Sequence, residues 1–462
     1  MNNIYQKSCN RTALTLRNKG EASIVSKQGS KVVIATQDTE NSPNNTNKLM
    51  EVICDRENLR KALKCVCQNK GSPGVDGMTI DELIPYLKEN WSTIKQQLLE
   101  GKYQPQPVKR VEIPKAGSKD TRKLGIPIVL DRFISQAILQ VLQNKIDCTF
   151  SEYSYGFRPG KSAHQAISKA KEYVSQGYKI VVDIDLEKFF DRVNHDKLMS
   201  EIAKHIKDKR LLKLFRQFLT IGILENGLIT PSDLGMPQGN PLSPLLSNLM
   251  LDILDKELIK RKHKFCRFAD DCNIYVRSLR AGQRVMSSIM SFIEKKLKLK
   301  VNQTKSAVDK TYKRQFLGFA FTNNKAPKIR IAPKAIKRFK DKVRGITITG
   351  KAICMENVIE NMSRYSRGWL AYFSYCQTPS TLDRLKAWMQ RKLRCAYWRQ
   401  WKNGKNRFKQ LRKLGVEYDL ANQTAGTNKG PWRISNSPGL SIALTNAYFR
   451  NSGIPNFVCR TG

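Results

Sequence analysis

Acidic side chains are in short supply in this chain: 39 Asp and Glu stand against 82 Lys and Arg over 462 residues, a formal net charge of +43. An imbalance of that size excludes an ordinary mixed-charge surface and points to a polyanionic partner. Histidine is scarcer still, with four residues at His164, His195, His205 and His263. The eleven cysteines are scattered, and only Cys65 and Cys67 stand close together. Without a CxxC pair a structural zinc site is not expected. With no apolar signal sequence ahead of them, the thiols read as reduced and the compartment as cytosolic. No run approaches the ~18 uninterrupted apolar residues of a membrane span, so no membrane partner is expected.

In so acid-poor a chain, the places where carboxylates gather carry the most information. Asp270 and Asp271 sit side by side in Phe268-Ala269-Asp270-Asp271, between the apolar runs Phe265-Cys266-Arg267 and Cys272-Asn273-Ile274-Tyr275-Val276. The pattern predicts a β-hairpin with both acids at its tip. Taken alone, it also fits an ordinary exposed Asp-Asp turn. Upstream, Ile180-Val181-Val182-Asp183-Ile184-Asp185 opens as a buried β-branched strand and places Asp183 and Asp185 on one face. Acids on a core strand are costly unless paired or metal-bound. Asp185, Asp270 and Asp271 brought to one point would suit two divalent metals about 4 Å apart in a phosphoryl transfer. A core pair salt-bridged to Lys or Arg is the competing reading; Asp183 is read as structural or as supporting the metal-holding acids from behind.

A third block is the turn-rich loop Leu234-Gly235-Met236-Pro237-Gln238-Gly239-Asn240-Pro241-Leu242-Ser243-Pro244. It runs into apolar residues at 245, 246, 249, 250, 253 and 254, a helical period. Gly239 would let backbone approach a ligand closely, and Gln238 could hydrogen-bond a base or sugar edge. With these three blocks in this order, the chain resembles a reverse transcriptase. Gly71 to Gly77, Ile113-Pro114-Lys115, Arg122 to Pro127 and Ser154-Tyr155-Gly156-Phe157-Arg158-Pro159-Gly160-Lys161-Ser162-Ala163-His164 narrow the likeness to group II intron-encoded proteins. Phe316-Leu317-Gly318-Phe319 and Tyr365-Ser366-Arg367-Gly368-Trp369 do the same, and together the matches cover about residues 50–420. One departure is Phe268, where the family usually carries Tyr; the exchange removes only a hydroxyl.

The resemblance implies an α+β right-hand polymerase fold with fingers, a palm of antiparallel sheet plus helices, and an α-helical thumb. It implies RNA-directed DNA polymerisation, with Asp185, Asp270 and Asp271 holding two Mg²⁺ ions and Mn²⁺ able to substitute. Lys115 and Arg122 match finger positions that cap the triphosphate, Phe190 the aromatic wall against a ribose 2′-hydroxyl, and Gln238 and Gly239 the lining of the nascent base pair. Lys305 lies where a cation could assist pyrophosphate departure. The implied partners are group II intron RNA, a DNA target and primer, and dNTPs. The implied setting is a cytoplasmic, nucleoid-associated bacterial ribonucleoprotein, with an organelle as the alternative. A non-catalytic splicing maturase and a stand-alone host reverse transcriptase are the alternative functions.

Along the chain, residues 1–49 are polar and turn-rich and read as a flexible arm; Glu21, Asp38 and Glu40 weaken a transit-peptide reading. Residues 50–325 are expected to form fingers and palm, 326–420 the helical thumb (domain X of the family), and 421–462 a short nucleic-acid-binding tail, loop-like over Gly430 to Gly439 and apolar from Leu440 to Phe449. Between Arg384 and Lys413 lie twelve Lys or Arg and no acid, interleaved with Trp388, Tyr397, Trp398, Trp401 and Phe408. Cations interleaved with aromatics favour RNA contact over a merely solvated face. Arg158, Arg364, Arg367, Trp369, Arg391, Lys392 and Arg394 are the candidate nucleic-acid contacts. The His- and Cys-bearing endonuclease module of many family members is not expected, since only Cys459 and no His lies near the C-terminus.

Overall fold

The computed structural model describes residues 48–114, 121–225, 227–230, 233–349 and 354–460. The polar arm up to residue 47 lies outside the described residues. Two compact units interleave along the chain, where sequence alone suggested consecutive blocks. The first takes the described residues of Met1–Ser162, Asp183–Cys272 and Arg284–Ala307; the second takes those of Ala163–Val182, Asn273–Gln283 and Val308–Gly462.

Ten strands occur among the described residues: β1 (Val108–Pro114), β2 (Thr121–Ile126), β3 (Ile180–Ile184), β4 (Ile223–Glu225), β5 (Leu228–Thr230), β6 (Lys264–Phe268), β7 (Asp271–Val276), β8 (Ala307–Lys310), β9 (Phe319–Phe321) and β10 (Ile329–Ile331). One four-stranded sheet has the order β2-β1-β4-β5. In it β1 runs antiparallel to β2, pairing Ile113 with Arg122, and parallel to β4. A second has the order β6-β7-β3-β8, and β9 pairs with β10.

Two long helices carry the core of the first unit. Val129–Ile146 buries Val129, Phe133, Ile134, Ala137, Ile138 and Leu142. Ser243–Lys260 follows the expected period, burying Leu245, Leu246, Leu249, Met250 and Leu254. It also buries polar residues of its other face, Asn248, Asp252 and Asp255, which the period does not foretell. Buried polar groups of this kind need partners, and theirs lie at the candidate site.

The second unit is largely helical. Helices Pro333–Thr349, Met355–Phe373 and Pro379–Gln400 bury Phe339, Val343, Met362, Trp369, Leu382, Leu385, Met389 and Leu393. The C-terminal region is helical also where Gly430 to Gly439 was expected to be a loop. It forms short helices at Tyr418–Ala425, Pro431–Ile434, Pro438–Ala443 and Asn446–Asn451, with Leu440, Leu444 and Phe449 fully buried. Apolar residues spaced by turn formers found a packing partner there, which local turn propensity does not register.

Candidate active site and nucleic-acid interface

The expected hairpin is present. Strands β6 and β7 are neighbours joined by a two-residue turn, Ala269-Asp270, and Asp271 is the first residue of β7. Ala269 sits at φ +57, a left-handed conformation that disfavours an alanine by roughly 1–2 kcal/mol. Asp270 is exposed and Asp271 half-buried. Beneath the turn lies the 153–158 segment. The Arg267 amide donates to the Tyr153 carbonyl at 2.9 Å, and the Tyr155 amide to the Arg267 carbonyl at 2.9 Å. Gly156 is pressed against the turn so closely that a Cβ there would overlap the Ala269 nitrogen and lie 2.9 Å from the Phe268 carbonyl carbon. Phe268 packs against Phe157 with ring centroids 6.3 Å apart. The phenyl ring in place of the family's phenol therefore meets an apolar partner.

Asp185 follows directly on β3, and residues 299–306 hold its backbone. The Asp185 amide donates to Ser306 Oγ at 3.0 Å, and the Asn302 amide donates to the Asp185 carbonyl at 2.8 Å. Lys305 Nζ stands 4.0 Å from Asp185 Oδ2, with both side chains well exposed; such a pair contributes little stability. The strand order puts β7 beside β3, and all three acids belong to the first unit. Among the described residues no three His, Cys, Asp or Glu side chains lie together closely enough to hold a metal ion. The donor chemistry, hard carboxylate oxygens on neighbouring strands, nevertheless suits a divalent cation.

Phe190 is half-buried, with its ring 5.2 Å from that of Phe189 in an edge-on contact. The Met236 amide donates to the Phe190 carbonyl at 2.7 Å, which ties the 234–239 loop to the Phe190 segment. His195, 4% exposed, reinforces the tie through Nε2, which donates to the Gly235 carbonyl at 2.7 Å. Burial holds this imidazole below its ordinary pKa and so keeps it neutral. Gln238 is half-buried on the same loop. Gly239 is pressed against β2, since a Cβ there would overlap the Gly125 carbonyl oxygen. Arg122 lies on β2 by its backbone, opposite Ile113; its side chain, and the whole of Lys115, lie outside the described residues.

Several expected nucleic-acid contacts are spent on internal structure. The Arg158 side chain, 6% exposed, pairs with Asp147 at 2.9 Å and donates to the Asp147 and Ser154 carbonyls. Trp369 is 9% exposed and stacks among Phe339, Phe373 and Phe457. Arg391 donates to Ser435 Oγ and the Trp432 carbonyl and lies 3.9 Å over the Trp432 ring. Arg394 donates to the Leu444 carbonyl from Nε and Nη2. These arginines are consumed because the C-terminal helices leave carbonyls that need donors. Arg364 and Arg367 are exposed, the first paired with Glu360, the second donating to the Gly453 carbonyl at 3.2 Å. Lys392 stays at the surface in a seam that spacing did not reveal: it lies 4.6 Å over Trp432 and 5.8 Å over Trp388, and Lys340 and Arg344 also lie over Trp388.

A two-residue hairpin bearing paired acids, set beside an acid-tipped strand, is the architecture of a nucleotidyl-transferring polymerase. Comparison with known proteins makes the assignment specific. Residues 113–321 match the family "Reverse transcriptase (RNA-dependent DNA polymerase)", and residues 336–415 match "Group II intron, maturase-specific domain". Protein YkfC of Escherichia coli (strain K12) is 31% identical over 301 residues, 56% of this chain and 79% of that protein. Group II intron-encoded protein LtrA of Lactococcus lactis subsp. cremoris is 38% identical over 199 residues, 43% of this chain and 33% of LtrA. The putative COX1/OXI3 intron 2 protein of Saccharomyces cerevisiae is 30% identical over 295 residues, 60% of this chain and 33% of that protein. A solved chain of a partial Cas6-RT-Cas1–Cas2 complex aligns over 58% of this chain and 46% of its own length at 24% identity, with a TM-score of 0.36, too low to bear on the fold.

The chain belongs to the group II intron reverse transcriptase and maturase family. It is an RNA-directed DNA polymerase joined to a maturase domain, of a family that works with divalent metal ions. Among the described residues no helix is long and apolar enough to cross a membrane.

Proposed function

We propose that this protein copies group II intron RNA into DNA during retrohoming, and that it binds the same intron RNA to promote splicing. The observation that carries the first part is the hairpin with Asp270 in its turn and Asp271 opening β7, the strand beside β3, which Asp185 directly follows. On this reading those three carboxylates hold two Mg²⁺ ions, with Mn²⁺ able to substitute, and bound metal would activate the primer 3′-oxygen and neutralise the triphosphate. Phe190, held through its own carbonyl by the Met236 amide, forms the floor under the dNTP sugar. Gln238 faces the nascent base pair from the tied-down 234–239 loop. Lys115 and Arg122 meet the triphosphate from the fingers, and Lys305, close to Asp185, supports the departing pyrophosphate.

Residues 50–325 then serve as fingers and palm, 326–420 as thumb, and 421–462 as a tail folded on the thumb helix Pro379–Gln400. The thumb's RNA face is the seam of Lys340, Arg344, Trp388, Lys392 and Trp432, together with exposed Arg364 and Arg367. The cellular setting is a bacterial ribonucleoprotein at the nucleoid, with a DNA target supplying the primer. Primer extension on poly(rA)/oligo(dT) tests the assignment. Asp270→Asn keeps the turn but removes a metal ligand, and extension should fall by roughly 10³-fold or more. Undiminished extension by Asp270→Asn sinks the reading. The same variant should still bind intron RNA and promote splicing, because that activity uses other residues.

A further inference from the structure

The Asp270-Asp271 turn is anchored by the buried side chain of Arg267. Arg267, the second residue before Ala269, is 0% exposed. All five of its N–H groups are used: Nε reaches both oxygens of Asp255 at 2.8 and 3.0 Å, and Nη1 donates to Asn248 Oδ1 at 3.0 Å and the Ala269 carbonyl at 2.9 Å. Nη2 donates to Ser154 Oγ at 2.8 Å and Asp255 Oδ2 at 2.6 Å. Asn248 passes the contact on, its Nδ2 donating to the Gly156 carbonyl at 2.8 Å. Burial disfavours the guanidinium charge, but the Asp255 carboxylate more than offsets this and raises the arginine pKa; burial in turn pushes Asp255 up against the pull of Arg267.

Stability alone gives no reason for such a pair, since a well-packed apolar replacement of a buried ion pair is often as stable. Geometry does. A guanidinium presents its donors in a fixed planar fork. Here the fork clasps the carbonyl of the one turn residue that adopts a left-handed conformation disfavoured for alanine.

We propose that Arg267 is a positioning residue for the Asp270-Asp271 turn: with Asp255 and Asn248 it clamps the Ala269 peptide, so that the two carboxylates are presented in one fixed arrangement. The proposal rests on the reading of Asp270 and Asp271 as metal-holding acids. Arg267→Lys keeps the charge opposite Asp255 but loses the fork. In that variant Mn²⁺ binding, followed by electron paramagnetic resonance on the full chain with a dideoxy-terminated primer–template and dNTP, should weaken by roughly 10–100-fold. The Mg²⁺ concentration that half-saturates primer extension should rise in parallel, while intron RNA binding stays at the wild-type level.

Glycine takes left-handed conformations without needing a clamp. Adding Ala269→Gly to Arg267→Lys should therefore recover much of the lost Mn²⁺ affinity, which repair of a merely structural defect would not do. Should thermal melting show Arg267→Lys to be unfolded, Asn248→Ala, which leaves the ion pair intact, carries the same expectation. Wild-type Mn²⁺ binding and Mg²⁺ dependence in the folded variant, or a loss that Ala269→Gly leaves untouched, overturns the proposal. Full extension by Asp270→Asn would instead overturn the reading of the acids on which it rests.

Discussion

Gly235→Ala puts the coupling between the 234–239 loop and the Phe190 segment under direct strain. Gly235 has φ +91, a conformation that disfavours an L-residue by about 1–2 kcal/mol. The added methyl would lie 2.8 Å from the Phe190 carbonyl oxygen and 3.0 Å from the Asp191 Cα and carbonyl carbon. All three obstacles are backbone atoms, so no side-chain rotation relieves them, and overpacking of this kind costs about 1–3 kcal/mol. Together the two terms come to roughly 2–5 kcal/mol. At about 3 °C per kcal/mol for a unit of this size, the first melting transition should fall by about 6–15 °C. The clash also pushes on Phe190, the proposed sugar floor, so the function should change in a definite direction. Single-nucleotide incorporation should show a raised dNTP KM and a higher rNTP-to-dNTP ratio. A Gly235→Ala protein with wild-type melting, dNTP KM and sugar selectivity would refute both the strain argument and the placement of Phe190.

Other perturbations test separate parts of the molecule. Gly345→Ala, in the exposed interior of the helix Pro333–Thr349 with nothing within 4 Å of the new Cβ, should stabilise by about 0.5–1 kcal/mol; a lowered melting temperature contradicts the helix. Asp131, 1% exposed, accepts from Tyr103 OH at 2.7 Å and the Gln106 amide at 2.9 Å, and burial pushes its pKa up to about 7. The folded state therefore holds a proton that the unfolded state releases near pH 4, so this group lowers stability as pH rises from about 4 to 7. Asp131→Asn should flatten the fall in urea midpoint over that window by an amount worth a few kcal/mol, and an unchanged pH profile would show the carboxyl to be ionised throughout. Replacing Lys340, Arg344 and Lys392 together with Gln should make the log–log salt dependence of intron RNA binding shallower by roughly two units if all three touch phosphate. An Arg391→Gln and Arg394→Gln double variant should instead mainly lower the melting temperature, because those cations hold the C-terminal helices.

Local chemistry made much of this protein legible in the sequence. A β-branched strand ending in Asp185, a hairpin with Asp270-Asp271 at its tip and an apolar helix after the Pro237-Gln238-Gly239 loop all stand where residue type and period put them, because each is a short-range preference of the chain. The net charge likewise fixed a polyanionic partner without reference to any fold. The tertiary structure decided which residues would be consumed by the protein itself. Arg158 and Trp369 in family-like motifs, and Arg391 and Arg394 in the basic, aromatic run, look like nucleic-acid contacts, yet Asp147, backbone carbonyls and an aromatic core took them; for Arg391 and Arg394 those partners lie more than forty residues away in the chain. Gly239 was free to meet a ligand by sequence and meets the β2 backbone in space. Arg267 is one more basic residue in a chain of 82 Lys and Arg. Only packing against Asp255 and Asn248 of the helix Ser243–Lys260 and against the more distant Ser154 turns it into the clamp on the acidic turn. A buried polar group must find partners wherever the fold brings them, and no local pattern records where that will be.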